Sequence, residues 1–179
     1  MLRPVFQRAE GTSPLCALLT EINAASVSGM PLLAIGMAVA LPDICVSLSS
    51  ADGRSDAKRY KEWCGNNLNG PEFSYLTPED LYSIRCGVLH NGRFGDLKHS
   101  VERVIFALPT SAGNSIVNSV SQNAYFYGVA DFCNNMTKAV YKWMEANKET
   151  ENVRANIGRL MQYREGFPPY IGGNLKLLA

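Results

Sequence analysis

The chain lacks an excess of charge of either sign: across 179 residues, 17 Lys and Arg stand against 16 Asp and Glu, a formal net charge of +1. No global field therefore pulls it toward nucleic acid or an anionic membrane. Tight sequence-independent DNA binding, which draws on many phosphate contacts, is disfavoured, whereas a small local anion site stays compatible with the composition. Cysteine patterning is also missing. The five cysteines, Cys16, Cys45, Cys64, Cys86 and Cys133, are odd in number and scattered, with no CxxC and no Cys/His cluster. Zinc needs about four ligands in close array, so neither a metal site nor a cofactor is expected, and the thiols read as reduced and mostly buried in a cytoplasmic protein. The Ser111-Ala112-Gly113-Asn114-Ser115 stretch lacks the GK[ST] ending of a phosphate loop.

Long apolar runs are absent as well. Met30 to Leu41 is the one suspect, and Pro42-Asp43 cuts it off, short of the ~20 residues a membrane span requires. It reads as a buried core helix, with no membrane expected. The N-terminal stretch has no apolar core of a secretory signal. No internal repeat and no second domain stand out. The expectation is a single domain over 1–179, with an arm at 1–11. At 46% hydrophobic residues, a chain of this length can bury a sizeable core without staples.

What is present is mostly helical patterning. Ser13-Pro14 starts one helix, carrying Leu15, Leu18, Leu19 and Ile22 on one face. A second follows Ser28-Gly29-Met30-Pro31 and runs to about Leu48, bent at Pro42. Asp56 to Leu68 is a third, with Tyr60, Trp63 and Cys64 inward. Thr77-Pro78-Glu79-Asp80 is the clearest start of all: a capping hydroxyl, a proline at the first helical position, and acids suited to the dipole. That helix extends through His90 and stops at Asn91-Gly92. Val101 to Leu108 is rich in strand formers, and 101–127 reads as an inserted β-hairpin. From Val129 the helical period returns through Phe132, Cys133, Met136, Val140, Trp143 and Met144, and a last helix covers 152–164. Pro168-Pro169 and Gly172-Gly173 mark 165–179 as an irregular tail. The fold expected is all-α: a bundle of about five helices with a small β-hairpin.

Histidine is scarce, and it is the side chain whose ordinary pKa suits proton transfer near neutrality. Only His90 and His99 exist. His99 sits in a polar stretch, while His90 ends the well-capped helix five residues after Arg85. On one straight α-helix that spacing separates the two side chains by about 140° around the axis and about 7.5 Å along it. They can share a ligand only if Arg85 reaches around or a second copy of the helix faces the first. Tyr82, Cys86 and His90 share a face; Arg85 lies with Leu81 and Leu89. The plain structural reading is that Arg85 pairs with an acid and His90 caps its own helix.

Leu81 to Gly92 resembles the signature helix of the HEPN superfamily, an Arg, four to six residues, then a His, late in a helical bundle; Arg85 and His90 fit with four between. The resemblance implies a homodimer whose signature helices (here 78–91) meet, and in many members a metal-independent endoribonuclease acting in growth arrest or phage defence. It casts His90 as the proton-transfer group and Arg85 as the phosphate holder. Cys86 stands where catalytic members often carry a polar residue, and Asn91 is a polar neighbour that also serves as a C-cap. The alternative within the same family is a non-catalytic module that binds a nucleotide, RNA or a partner protein. The site expected is Arg85 and His90, with Tyr82, Cys86 and Asn91 beside them.

Overall fold

The computed structural model describes residues 13–95, 97, 101–108 and 117–179. The arm at 1–11, His99 and the tip of the expected hairpin lie outside them. Six α-helices are present among the described residues: α1 (Pro14–Val27), α2 (Pro31–Ser49), α3 (Ala57–Asn67), α4 (Pro78–Cys86), α5 (Val129–Asn147) and α6 (Glu151–Ile157). They account for most of the 56% helical content. Among the same residues five strands form two sheets: β1 (Arg103–Ala107), β2 (Ser119–Ser121) and β3 (Ala124–Gly128), then β4 (Tyr163–Phe167) and β5 (Ile171–Leu178).

The all-α expectation is therefore corrected to a mixed α/β architecture. The cause lies in which strands find each other. The expected hairpin would pair 101–108 antiparallel with the returning chain. Instead β1 and β3 run parallel, Arg103 opposite Ala124 and Ala107 opposite Gly128. β3 takes its antiparallel neighbour from β2, giving the order β1-β3-β2. The tight β2–β3 turn is made by Gln122 and Asn123 at φ 49° and 58°. Two left-handed residues suit the twist of a two-residue hairpin, but Gln-Asn advertises that turn less clearly than a glycine would. The tail also departs from expectation. β4 and β5 form an antiparallel ribbon, irregular in register between Glu165 and Phe167, where positive-φ Gly166 approaches the Gly173 carbonyl. The glycines that read as breakers shape a bulge instead. The last helix is correspondingly shorter than 152–164, ending at Ile157.

α2 is the hub. It packs against α1, α3, α4, α5 and α6. Its buried side chains include Ala34, Ile35, Ala38, Val39, Leu41, Cys45, Val46 and Leu48. The helix runs through Pro42 to Ser49, and this apolar helix is 19 residues long with a mean hydropathy of 2.0. By length and composition it could cross a membrane, and half of it is buried inside this fold. The five cysteines carry no disulfide; Cys45, Cys64 and Cys133 are buried, and burial pushes the Cys133 thiol up to about 12.

The three-stranded sheet joins the helices through aromatic rings. Phe132 of α5, fully buried, meets Tyr127 of β3 at 5.2 Å, Phe106 of β1 at 5.0 Å and Phe73 at 6.5 Å between centroids. Edge-to-face packing of this kind adds to burial. Phe132→Ala should lower unfolding free energy by about 3–5 kcal/mol in denaturant titration; a loss below about 1 kcal/mol would contradict this packing.

Candidate functional site

α4 begins as its sequence dictates. The Thr77 hydroxyl accepts from the Asp80 N–H at 3.1 Å, while Asp80 accepts from the Thr77 N–H at 3.2 Å, completing a capping box. Leu81 and Ile84 face the core and are buried. After Cys86 the geometry changes. The expected helix 78–91 divides into an α-helix to Cys86 and a π-helical turn over Gly87–Asn91. The Gly87 carbonyl accepts from the Gly92 N–H and from the Arg93 N–H, the latter at 3.1 Å. Gly92, at φ +64°, then reverses the chain.

Two glycines explain why the turn widens. The returning chain at 93–95 lies directly on the end of α4. A Cβ at Gly87 would overlap the Arg93 carbonyl and the Gly95 N–H, and a Cβ at Gly95 would overlap the Ser83 carbonyl. Only glycine permits backbone to approach backbone this closely.

This turn brings the expected pair together within one chain. A π turn closes i→i+5 bonds in place of i→i+4, so a residue five positions on falls nearer the same face than α geometry allows. His90 Nε2 lies 3.2 Å from Arg85 Nη1. A guanidinium can only donate, so this contact is a hydrogen bond when Nε2 is unprotonated and the ring proton sits on Nδ1. The His90 side is exposed. Neither a far-reaching Arg85 nor a facing copy is needed for the two to meet.

Arg85 does pair with an acid, and the acid is Asp43 of α2, at 2.8 Å from Nε to Oδ2. Ser55 donates to the other carboxylate oxygen at 2.7 Å. Both charged side chains are about one-fifth exposed, 22% for Arg85 and 20% for Asp43. Burial alone would pull the Arg85 pKa down; the bond to Asp43 and its charge more than offset this, and the guanidinium is held protonated. Its Cζ sits 5.9 Å from the Tyr82 ring centroid, and Tyr82 packs edge-on against Tyr60 at 5.3 Å. Tyr60 is itself fixed by donating to the Val39 carbonyl at 2.9 Å. Cys86 Sγ accepts weakly from Arg85 Nη1 at 3.9 Å. The Cys86 thiol, followed by desolvation, raises the Tyr82 phenol above its ordinary pKa.

Tyr82, Arg85, Cys86 and His90 thus lie together, although straight-helix geometry placed Arg85 on a different face from the other three. Asn91 is the exposed last residue of the π turn, and the left-handed residue that ends it is Gly92. Asp43 and Ser55 were missed. The signal for Asp43 was an acid inside an apolar run, directly after Pro42, read as a stop. Of the apolar residues on this helix, Leu81 and Ile84 are consumed by the core. Val88 packs toward Gly36, and Leu89 stays 43% exposed. Among the described residues no three His, Cys, Asp or Glu side chains converge as a metal ion would need.

Comparison with family models, curated proteins and solved structures finds no match.

Asp43→Ala should strand the Arg85 charge and cost about 1–2 kcal/mol, between the values for exposed and buried pairs. Thermal melts of the two proteins check this; an unchanged melting temperature would show that the pair holds nothing.

Proposed function

We propose that the chain is a metal-independent endoribonuclease of HEPN type, with Arg85 and His90 as its working pair. What carries the reading is the 3.2 Å approach of an exposed imidazole nitrogen to an arginine that Asp43 anchors. RNA carries its own nucleophile, the 2′-hydroxyl, so no metal-bound water is required. The hydroxyl takes the place of Arg85 Nη1 at His90 Nε2 and gives up its proton there. Its oxygen attacks the adjacent phosphorus, the P–O5′ bond breaks, and the leaving oxygen is protonated. The products are a 2′,3′-cyclic phosphate and a 5′-hydroxyl. The guanidinium, still tied through Nε, turns Nη1 and Nη2 to the phosphate oxygens, where charge builds.

A homodimer formed around helix 78–91 supplies the second proton donor, His90 of the partner subunit. Exposed Leu89 (43%) offers apolar surface on that helix for the contact. Isologous pairing is the commonest way to cover such a face. On this reading the protein works in the cytoplasm, in a growth-arrest or defence role. One observation favours the alternative, a module that binds a nucleotide, RNA or a partner protein without cutting. In the state described, Arg85 is already engaged by Asp43, Cys86 and His90.

The test is cleavage of mixed single-stranded RNA. Wild type should cut in excess EDTA and leave cyclic phosphate ends. His90→Ala should lose at least about 100-fold in turnover, the usual worth of a positioned acid–base group, with its fold and RNA affinity intact. Arg85→Ala should lose both turnover and affinity. Wild-type rates in His90→Ala, or activity that EDTA removes and magnesium restores, would overturn the mechanism. Light scattering at micromolar concentration should give twice the chain mass, and a clean monomer would remove the second histidine.

A further inference from the structure

α1 and α2 are joined by the short turn Ser28-Gly29-Met30, with Gly29 at φ +78°. The two helices therefore run antiparallel, and the turn is one end of their hairpin. That end is apolar and, among the described residues, uncovered. Val27, Met30, Leu32 and Leu33 are between 46% and 75% exposed. The next residues of α2, Ala34 and Ile35, are buried, so apolar surface runs unbroken from the core out to the tip. We propose that this tip is a membrane-docking site, which enters the headgroup boundary of a lipid bilayer while the rest of the fold stays in water. The proposal is independent of the ribonuclease reading above.

Charge argues for lipid as the occupant. No Asp, Glu, Lys, Arg or His occurs between Glu21 and Asp43. A protein interface surrounds its apolar centre with a polar, partly charged rim, and neither helix supplies a charge for one here. An uncharged tip also enters the membrane boundary without desolvating an ion. The backbone suits the same place, because away from water every N–H needs a partner. The Ser28 N–H donates to the Ala24 carbonyl at 3.0 Å and the Met30 N–H to the Ala25 carbonyl at 3.2 Å. Pro31, at the first helical position of α2, has no N–H to satisfy. The Ser26 hydroxyl is taken by the Asn23 carbonyl at 2.8 Å. Depth follows from the helix: Met30 to Leu33 covers roughly 5 Å along the α2 axis, the shallow end of the usual insertion depth of about 5–10 Å. α2 is long and apolar enough to cross a bilayer, but half of it is buried in the fold. Its first turn is what remains for lipid, which makes the contact a docking and not a crossing.

The experiment is co-sedimentation of the full chain with phosphatidylcholine vesicles at millimolar lipid, from low to high salt. Wild type should bind, and its partition should change less than about twofold across the salt series, because no charge draws it to the surface. Leu33→Asp should weaken partitioning at least about tenfold, since a carboxylate must enter the boundary with the tip. Leu32→Asp should do the same, and the double variant should not bind. Both positions are exposed and lie in the first turn of α2, where an acid suits the helix dipole, and melting temperature confirms that the variants fold. Leu175→Asp, at a similarly exposed leucine of β5, should partition like wild type. No sedimentation of wild type, binding only to vesicles that contain phosphatidylglycerol and lost in salt, or an equal loss in Leu175→Asp would overturn the proposal. So would a wild-type dimer that ignores vesicles and that Leu33→Asp splits, because the tip would then be covered by a second copy of the chain.

Discussion

The arrangement depends on the backbone-to-backbone contact of Gly87 with the returning chain at 93–95. A side chain at either Gly87 or Gly95 would push that segment off α4. Without it there is no reason for the helix to widen into a π turn. An α-helical continuation would point His90 away from Arg85, on a different side of the helix. The 3.2 Å contact between the two side chains is thus set by residues that themselves do no chemistry. Local widening of helices is often found where function requires an unusual side-chain direction.

α2 supplies the second constraint. Its buried face holds the bundle together, and its one acid, Asp43, projects from the middle of the same helix to fix Arg85. A carboxylate in this setting is stable because it is paired and hydrogen-bonded by Ser55. Anchoring through Nε fixes the guanidinium, whose Nη1 meets Cys86 and His90, while the Tyr82 ring and Tyr60 restrict where it can swing. The bundle and the site are therefore mechanically one unit. Packing that shifts α2 moves Asp43, and with it the charge offered to a phosphate.

The helix starts were legible because local chemistry decides them. Pro14, Pro31 and Pro78 each stand at the first turn of a helix, and Thr77 with Asp80 forms its box. The period of Phe132, Met136, Val140 and Trp143 gave α5 its buried face. The sheets were not legible to the same degree. Parallel pairing of β1 with β3 is a non-local choice, and nothing in either segment names its partner. β5 was hidden by Gly172-Gly173, which read as an irregular tail and instead belong to a bulged strand. At the site, Arg85 and His90 were legible as residue types at a spacing, but their contact was not. Straight-helix geometry separates them, and the glycines that alter it read only as a stop signal.

The central claim is geometric: His90 Nε2 accepts from Arg85. Free imidazole favours its proton on Nε2, whereas this contact requires it on Nδ1. Long-range proton–nitrogen correlation spectra of the protein labelled at histidine nitrogen distinguish the two forms directly. The account predicts that the resonances assigned to His90 through His90→Ala show the Nδ1–H form in wild type and revert to Nε2–H in Arg85→Ala. A His90 ring already in the Nε2–H form in wild type would contradict it.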